Sequence, residues 1–387
     1  IQASLVVSAL ATLLQLFPLG NKNGFHLGSG LPVILGVSFA YVPSMQAIAE
    51  QSGIPAILGA QIVGGVCAIL VALTIKKIRK FFPPLIAGTV VFTIGLSLYP
   101  TAINYMAGGA GQPTYGAWQN WVVAIFTLVI VTVLNHFARG FLKLASILIG
   151  MIAGYIFSMF FGMVSFGNVA ESGMFQLPQV MHFGISFEAS ACVALGLLFV
   201  INSVQAIGDF SATTAGGLDR EPTTNELHGA ILGYGFSNII GAFLGCLPTA
   251  TYSQNVGIVA TTKVVNRVTL GLSALIILVA GLFPKFSALL TTTPYAVLGG
   301  ATVSVFASIA MTGMKLVMTE DMNYRNTSIV GLAAALGMGV SQASASLSAF
   351  PTWVTTIFGK SPVVIATLVA ILLNVTLPKD TGKAEKN

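Results

Sequence analysis

The chain has 387 residues, of which 55% are hydrophobic and 7% charged, with a mean hydropathy of +0.89. Soluble domains carry charges on about a quarter of their residues, so this composition excludes one and points to an all-α polytopic membrane protein. The 17 Lys/Arg against 11 Asp/Glu give a net charge of +6, an excess that cytoplasmic loops account for, and nothing in it suggests a nucleic-acid partner.

Apolar stretches long enough to cross a bilayer run in chain order over 1–19, 31–49, 55–75, 84–104, 119–137, 142–163, 188–214, 227–247, 253–266, 268–284, 295–313, 326–342 and 361–377. The second and the ninth are short and interrupted. The first, Ile1 to Leu19, lacks the basic flank of a cleavable signal peptide. Segments 171–187 and 346–359 are amphipathic and are expected to lie at the membrane interface. Lys76, Lys77, Arg79 and Lys80 share one loop, and Arg139 with Lys143, then Arg220, then Lys315 with Arg325 mark later loops, whereas 105–118 and 164–187 contain no Lys or Arg. By the positive-inside rule the basic loops, and the tail from Lys379 to Asn387 with them, are expected in the cytoplasm. Cys67, Cys192 and Cys246 are far apart in apolar runs, which predicts buried thiols rather than disulfides or a metal site.

The ninth stretch carries the strongest functional signal. Pro248, Thr251 and Tyr252 lead into Ser253-Gln254-Asn255-Val256-Gly257. Pro248 lacks a backbone donor, Thr and Tyr favour extended geometry, and Gly257 lets backbone approach closely. The expected structure is a short strand followed by a half-helix from near Asn255, whose free N–H groups face a polar ligand. Irregular backbone at membrane depth survives only where protein buries it or it lines a cavity. A second interrupted segment shares the pattern: Leu31-Pro32, then Ser38-Phe39. Paired broken segments mark the midplane site of inverted-repeat transporters. Upstream, Asp209 is the acid placed deep within a span, a costly position that marks function or tight pairing. Gln205 lies one turn earlier on the same face. Gln254 and Asn255 either bind a ligand or tie helices together, and Asp209 either touches the ligand or supports the half-helix.

Gln254-Asn255-x-Gly257-x-x-x-x-Thr262-Lys263 resembles the signature of the nucleobase-ascorbate transporter (nucleobase:cation symporter-2) family, and Gln205 to Thr213 resembles its other binding segment. The resemblance implies a 7+7 inverted-repeat fold of about 14 transmembrane segments, with the chain expected to begin at the second. Spans 1–75 and 188–284 form a substrate-carrying core and 84–163 and 295–377 a gate, leaving 378–387 as a cytoplasmic tail. It further implies a multi-pass protein of the cell membrane that dimerises through gate helices and moves a purine, xanthine or urate, by an elevator-like shift, with H+ or Na+ as coupling ion and no other cofactor.

Site residues follow by resemblance. Gln205, Gln254, Phe39, Asn255 and Ser253 are the substrate-binding set, with Phe39 stacking on the base, while Asp209, Gly257 and Thr262 give support. Relatives usually carry glutamate at the position of Gln205, so coupling either falls to another group such as Asp209 or is impaired, leaving a purine binder. Several also carry an acid in the next helix around Tyr234, where this chain has none. Lys263 either pairs with an acid or is an ordinary cytoplasmic charge beside Arg267. His26, His136 and His228 fall in or near cytoplasmic loops and His182 in an external one. An anion transporter of the same fold is the other alternative. No phosphate loop, His-x-x-x-His pair or Ser/His/Asp set at membrane depth supports an enzyme.

Overall fold

The structure is a computed structural model that describes residues 1–21, 25–75, 83–351, 354–359 and 361–378. The basic cluster Lys76 to Lys80 and the tail from Lys379 lie outside the described residues.

The chain opens with α1 (Gln2–Leu16) and a two-strand hairpin, β1 (Leu19–Gly20) with β2 (His26–Leu27). Next come β3 (Leu35–Val37), one 3-10 turn over Phe39–Tyr41, and α2 (Val42–Leu73). Helix α2 is broken at Gly53, whose φ of 76° only glycine adopts without strain, two residues before Pro55. The expected spans 31–49 and 55–75 are therefore a half-helix and a full helix meeting at one kink. The next helices are α3 (Pro84–Ser97), α4 (Tyr99–Met106), α5 (Trp118–Phe137), α6 (Phe141–Leu144), α7 (Ser146–Met159) and α8 (Gly167–Glu171). After α9 (Ala189–Leu218) and α10 (Thr224–Phe243), β4 (Thr249–Thr251) leads into α11 (Ser253–Thr262). The chain continues through α12 (Arg267–Leu282), α13 (Pro284–Thr291), α14 (Tyr295–Val317), α15 (Tyr324–Gln342) and α16 (Pro362–Thr376).

Among the described residues, five helices are long and apolar enough to cross a bilayer, and α12 with α13 adds a sixth only as a pair bent by 86°. Helices α1, α7 and α16 are apolar but shorter.

Segment 171–187 is not an amphipathic helix beyond the end of α8. It runs as an irregular strap, with Gly173, Pro178 and Gly184 along it. Three of its amides go to carbonyls of neighbouring helices: Gln176 donates to Leu282 O, Met181 to Phe243 O and Ser186 to Pro55 O. Leu282 and Phe243 close α12 and α10, so the strap satisfies carbonyls that a helix terminus leaves orphaned. The second segment, 346–359, is also only partly helical, with short turns at Ser344–Leu347 and Thr355–Gly359.

The helices pack in two groups. In the first, α2 runs along α9 and α10, α1 along α12 and α10, and α11 along α9. In the second, α14 runs along α3, α4 and α5, and α16 along α15 and α3. A shared apolar core joins them, with Val90, Ile94 and Phe306 from the second group meeting Leu195, Leu198 and Phe199 from the first. Two contacts bridge this boundary near β3: Phe39 meets Phe306 edge-on at 5.0 Å between ring centroids, and Ser44 Oγ donates to Ser361 Oγ at 3.0 Å.

Within the second group, α3 and α14 touch backbone to backbone. A Cβ built on Gly88 would stand 2.7 Å from Val317 N and 2.8 Å from Gly313 O, and one on Gly313 would stand 2.7 Å from Gly88 O. Close approach of this kind is how helices associate in lipid, where no hydrophobic force separates helix from tail. Gly313→Val therefore forces the helices apart and is expected to cost about 3 kcal/mol or more, read as a lowered melting temperature in detergent. An unchanged melting curve would mean that the seam yields.

Candidate functional site

Strands β3 and β4 come from opposite halves of the chain and pair antiparallel, with Leu35 opposite Thr251, Gly36 opposite Ala250 and Val37 opposite Thr249. Bonds from Tyr252 N to Ile34 O and from Ser38 N to Pro248 O extend the ladder at both ends. Each strand runs directly into a helical segment: β3 into the Phe39–Tyr41 turn, which Ser38 caps by accepting from Ala40 N, and β4 into α11. Because the strands are antiparallel, the two segments leave the crossing in opposite directions with their N-termini toward it. First-turn N–H groups and the positive end of the helix dipole are thus brought to each end of a two-strand cross.

Side chains from α9 brace this crossing. Thr251 Oγ1 donates to Asp209 Oδ2 at 2.5 Å, and Ser253 Oγ donates to Asp209 Oδ1 at 2.8 Å. One carboxyl group therefore ties the last residue of β4 to the first residue of α11. Gln205 Nε2 donates to the same Ser253 Oγ at 3.3 Å, so Gln205 and Asp209 present one face as their spacing predicts. Gln205 Oε1 is buried and accepts no hydrogen bond. Such an orphaned acceptor costs about 1–3 kcal/mol, a cost that a donor brought by a ligand would relieve. Gln254 follows Ser253 and is half-buried, and its side chain makes no hydrogen bond among the described residues. Asn255 is occupied: its Nδ2 donates to Pro32 O at 2.8 Å, linking α11 to the segment before β3. Phe39 is 37% exposed and leaves part of its ring uncovered beside Phe306.

The structure thus brings Gln205, Asp209, Ser253 and Asn255 to one crossing and sets Gln254 and Phe39 on its flanking turns. It does not bring Gly257 or Thr262 to it. A Cβ on Gly257 would meet nothing within 4 Å, so this glycine makes no close helix contact. The small residues that let α9 and α11 approach are Gly216 and Gly217, whose added Cβ atoms would meet Ala260 and Val259. Thr262 Oγ1 donates to Ile258 O within its own helix and accepts from Val264 N, which makes it a helix-end residue. Lys263 pairs with an acid rather than standing as a lone charge: its Nζ donates to Asp219 Oδ1 at 2.9 Å and to Gly216 O at 2.8 Å.

Three further contacts lay beyond the sequence reading. Thr251, read there only as a strand former, is a partner of Asp209. Tyr234, where an acid was expected from relatives, hydrogen-bonds Tyr41, and both rings are fully buried. His26 is buried, with Nδ1 against Gly28 O. Cys67, Cys192 and Cys246 are free thiols, of which only Cys246 is fully buried while the other two are half-buried.

A family model described as a permease family matches residues 1–346. The chain belongs to this permease family. The permease is 36% identical over 380 residues to the uric acid permease PucJ of Bacillus subtilis, covering 96% of this chain and 82% of that one. It is 33% identical over 378 residues to the xanthine permease of the same organism, covering 97% and 84%. Among solved structures, the transmembrane domain of the cyanobacterial bicarbonate transporter BicA matches with a TM-score of 0.56 over 97% of the permease and 88% of that chain, at 17% identity. That likeness gives the permease a membrane-transporter fold, and membership of a permease family makes it a transporter and not an enzyme.

Proposed function

We propose that this permease carries a purine nucleobase of the xanthine or urate type across the cell membrane together with a cation, H+ in the first instance and Na+ as the alternative. The observation that carries the proposal is the buried Gln205 Oε1, which accepts no hydrogen bond, together with the Gln254 carboxamide at the same strand crossing. An amide offers one acceptor and two donors, which suits the alternating C=O and N–H edge of such a base. The half-exposed ring of Phe39 offers a stacking face. Support from outside the site comes from PucJ and the xanthine permease, whose names state uric acid and xanthine as what they carry.

In this reading residues 1–75 and 188–284 form a mobile core, residues 84–163 and 295–377 form a gate through which two copies pair, and the core slides against the gate. Basic loops and the C-terminus face the cytoplasm. Radiolabelled xanthine, urate and uracil offered to proteoliposomes under imposed pH or sodium gradients test it. Uptake of xanthine or urate that follows one gradient is the expected result. Competition by bicarbonate or sulfate would instead favour an anion transporter. Glutamine at position 205 favours one further reading, a binder that no longer transports, which would show purine-dependent thermal stabilisation without uptake. Phe39→Ala is expected to raise KM about tenfold, in line with the roughly 1–3 kcal/mol that a stacked base contributes. An unchanged KM would remove Phe39 from the site.

A further inference from the structure

Among the described residues, strands β3 and β4 pair only with each other, so each has an outer edge. The ladder bonds fall on Ile34 with Tyr252, Gly36 with Ala250 and Ser38 with Pro248, which leaves Leu35 and Thr249 with N–H and C=O pointing outward, away from the opposite strand. Buried backbone groups of this kind need partners, and no further strand is there to supply them.

Two side chains supply them instead. Thr12 Oγ1 donates to Leu35 O and accepts from Leu35 N, each at 3.1 Å. Asn238 Oδ1 accepts from Thr249 N at 2.8 Å, and Asn238 Nδ2 donates to Thr249 O at 3.3 Å. Each side chain thus acts as a one-residue strand on an outer edge. Thr12 is 3% exposed and Asn238 0%. The pair is matched in placement: Thr12 lies on α1, the helix before β3, and Asn238 on α10, the helix before β4. Each grips the first residue of its own strand. Gln61 Nε2, from α2, donates to the main-chain O of Asn238 at 3.0 Å.

We infer that Thr12 and Asn238 are a matched pair of positioning residues for the nucleobase site, fixing where each strand hands over to its helical segment. Two residues beyond the Asn238 grip stands Thr251, and two beyond that Ser253, the hydroxyls that bond Asp209. Four residues beyond the Thr12 grip stands Phe39. A strand slip of one residue would turn these side chains to the opposite face. Both grips hold backbone, so their effect on a ligand runs through Thr251, Ser253 and Phe39. The inference rests on the purine reading of that site.

Thr12→Val keeps the shape and removes the hydroxyl, Thr12→Ser keeps the hydroxyl, and Asn238→Leu removes the amide at similar volume. Uptake of radiolabelled xanthine and urate is measured per folded transporter, with folding scored by size-exclusion chromatography. Thr12→Val and Asn238→Leu are expected to raise KM about tenfold or more, the scale of loss when a site is displaced by a fraction of an ångström to an ångström, and Thr12→Ser to restore the wild-type KM. Hydrogen exchange at the Leu35 amide in Thr12→Val, and at the Thr249 amide in Asn238→Leu, is expected to accelerate by at least about tenfold. A purely structural role would lower the amount of folded protein and leave KM per folded molecule unchanged, which overturns the inference. So does Thr12→Ser behaving like Thr12→Val. If Asn238→Leu does not fold, Asn238→Asp, which keeps the acceptor for Thr249 N and removes the donor to Thr249 O, takes its place in the uptake assay, and an unchanged KM there overturns the inference. If the wild-type protein carries neither purine, the purine reading falls by itself, and exchange decides the grips: unchanged protection at Leu35 and Thr249 overturns them.

Discussion

Replacing Asp209 by alanine is expected to reduce uptake by about two orders of magnitude or more, the largest effect of any single change at the site. The carboxyl group is the acceptor for two hydroxyls on either side of the strand-to-helix corner, Thr251 and Ser253. Removing it leaves both without that acceptor at about 1–3 kcal/mol each and frees the corner that sets the N-terminus of α11. Displacement by an ångström at a binding site is enough to cost about a hundredfold. Asp209→Asn keeps one acceptor oxygen and should recover part of the loss. The measurement is initial uptake rate per folded transporter, accompanied by a melting curve. Wild-type rates in Asp209→Ala would show that the corner is held by something else.

The second large effect is expected from Gln205→Glu. The amide donates to Ser253 Oγ, which in turn donates to Asp209. A carboxyl group placed there keeps the shape, loses the donor, and stands one serine away from another carboxyl group. Two carboxyls so close favour sharing a proton, because both cannot ionise cheaply. An amide cannot exchange a proton in the physiological range. Uptake by the variant is therefore expected to rise several-fold as the external pH falls, with the original protein flatter over the same range. Superimposable rates and pH profiles for the two proteins would dispose of this account.

Much of the scaffold was legible because bilayer thickness imposes it. A span needs a fixed apolar length, so the boundaries of α5, α9 and α14 fall within a few residues of those predicted. The break at Pro248 to Asn255 was legible because proline, β-formers and paired carboxamides cannot continue a lipid-embedded helix. What segment 171–187 binds was not legible, since its amides go to Leu282, Phe243 and Pro55, carbonyls that only the assembled fold brings near. The failure at Gly257 has a similar origin: motif spacing fixes residue type, whereas packing depends on which helix face meets a neighbour, and here Gly216 and Gly217 of α9 make that contact. Which acid Lys263 pairs with was not legible, because Asp219 follows α9, far along the chain, and only the assembled helices bring the two together. The grips of Thr12 and Asn238 were invisible for the same reason, since either residue reads in sequence as an ordinary polar side chain in an apolar helix.

The antiparallel seam between β3 and β4 has a mechanical consequence. Fractured helices that ended separately would be two independent jaws, and a ligand between them would have to pry one from the other. Here the jaws share a hinge plate stitched by main-chain bonds and riveted by Asp209 on one side and Asn255 on the other. On the function proposed above, a cargo gripped at both tips would travel with the whole plate, which would slide against the wall it meets where Phe39 leans on Phe306 and Ser44 on Ser361.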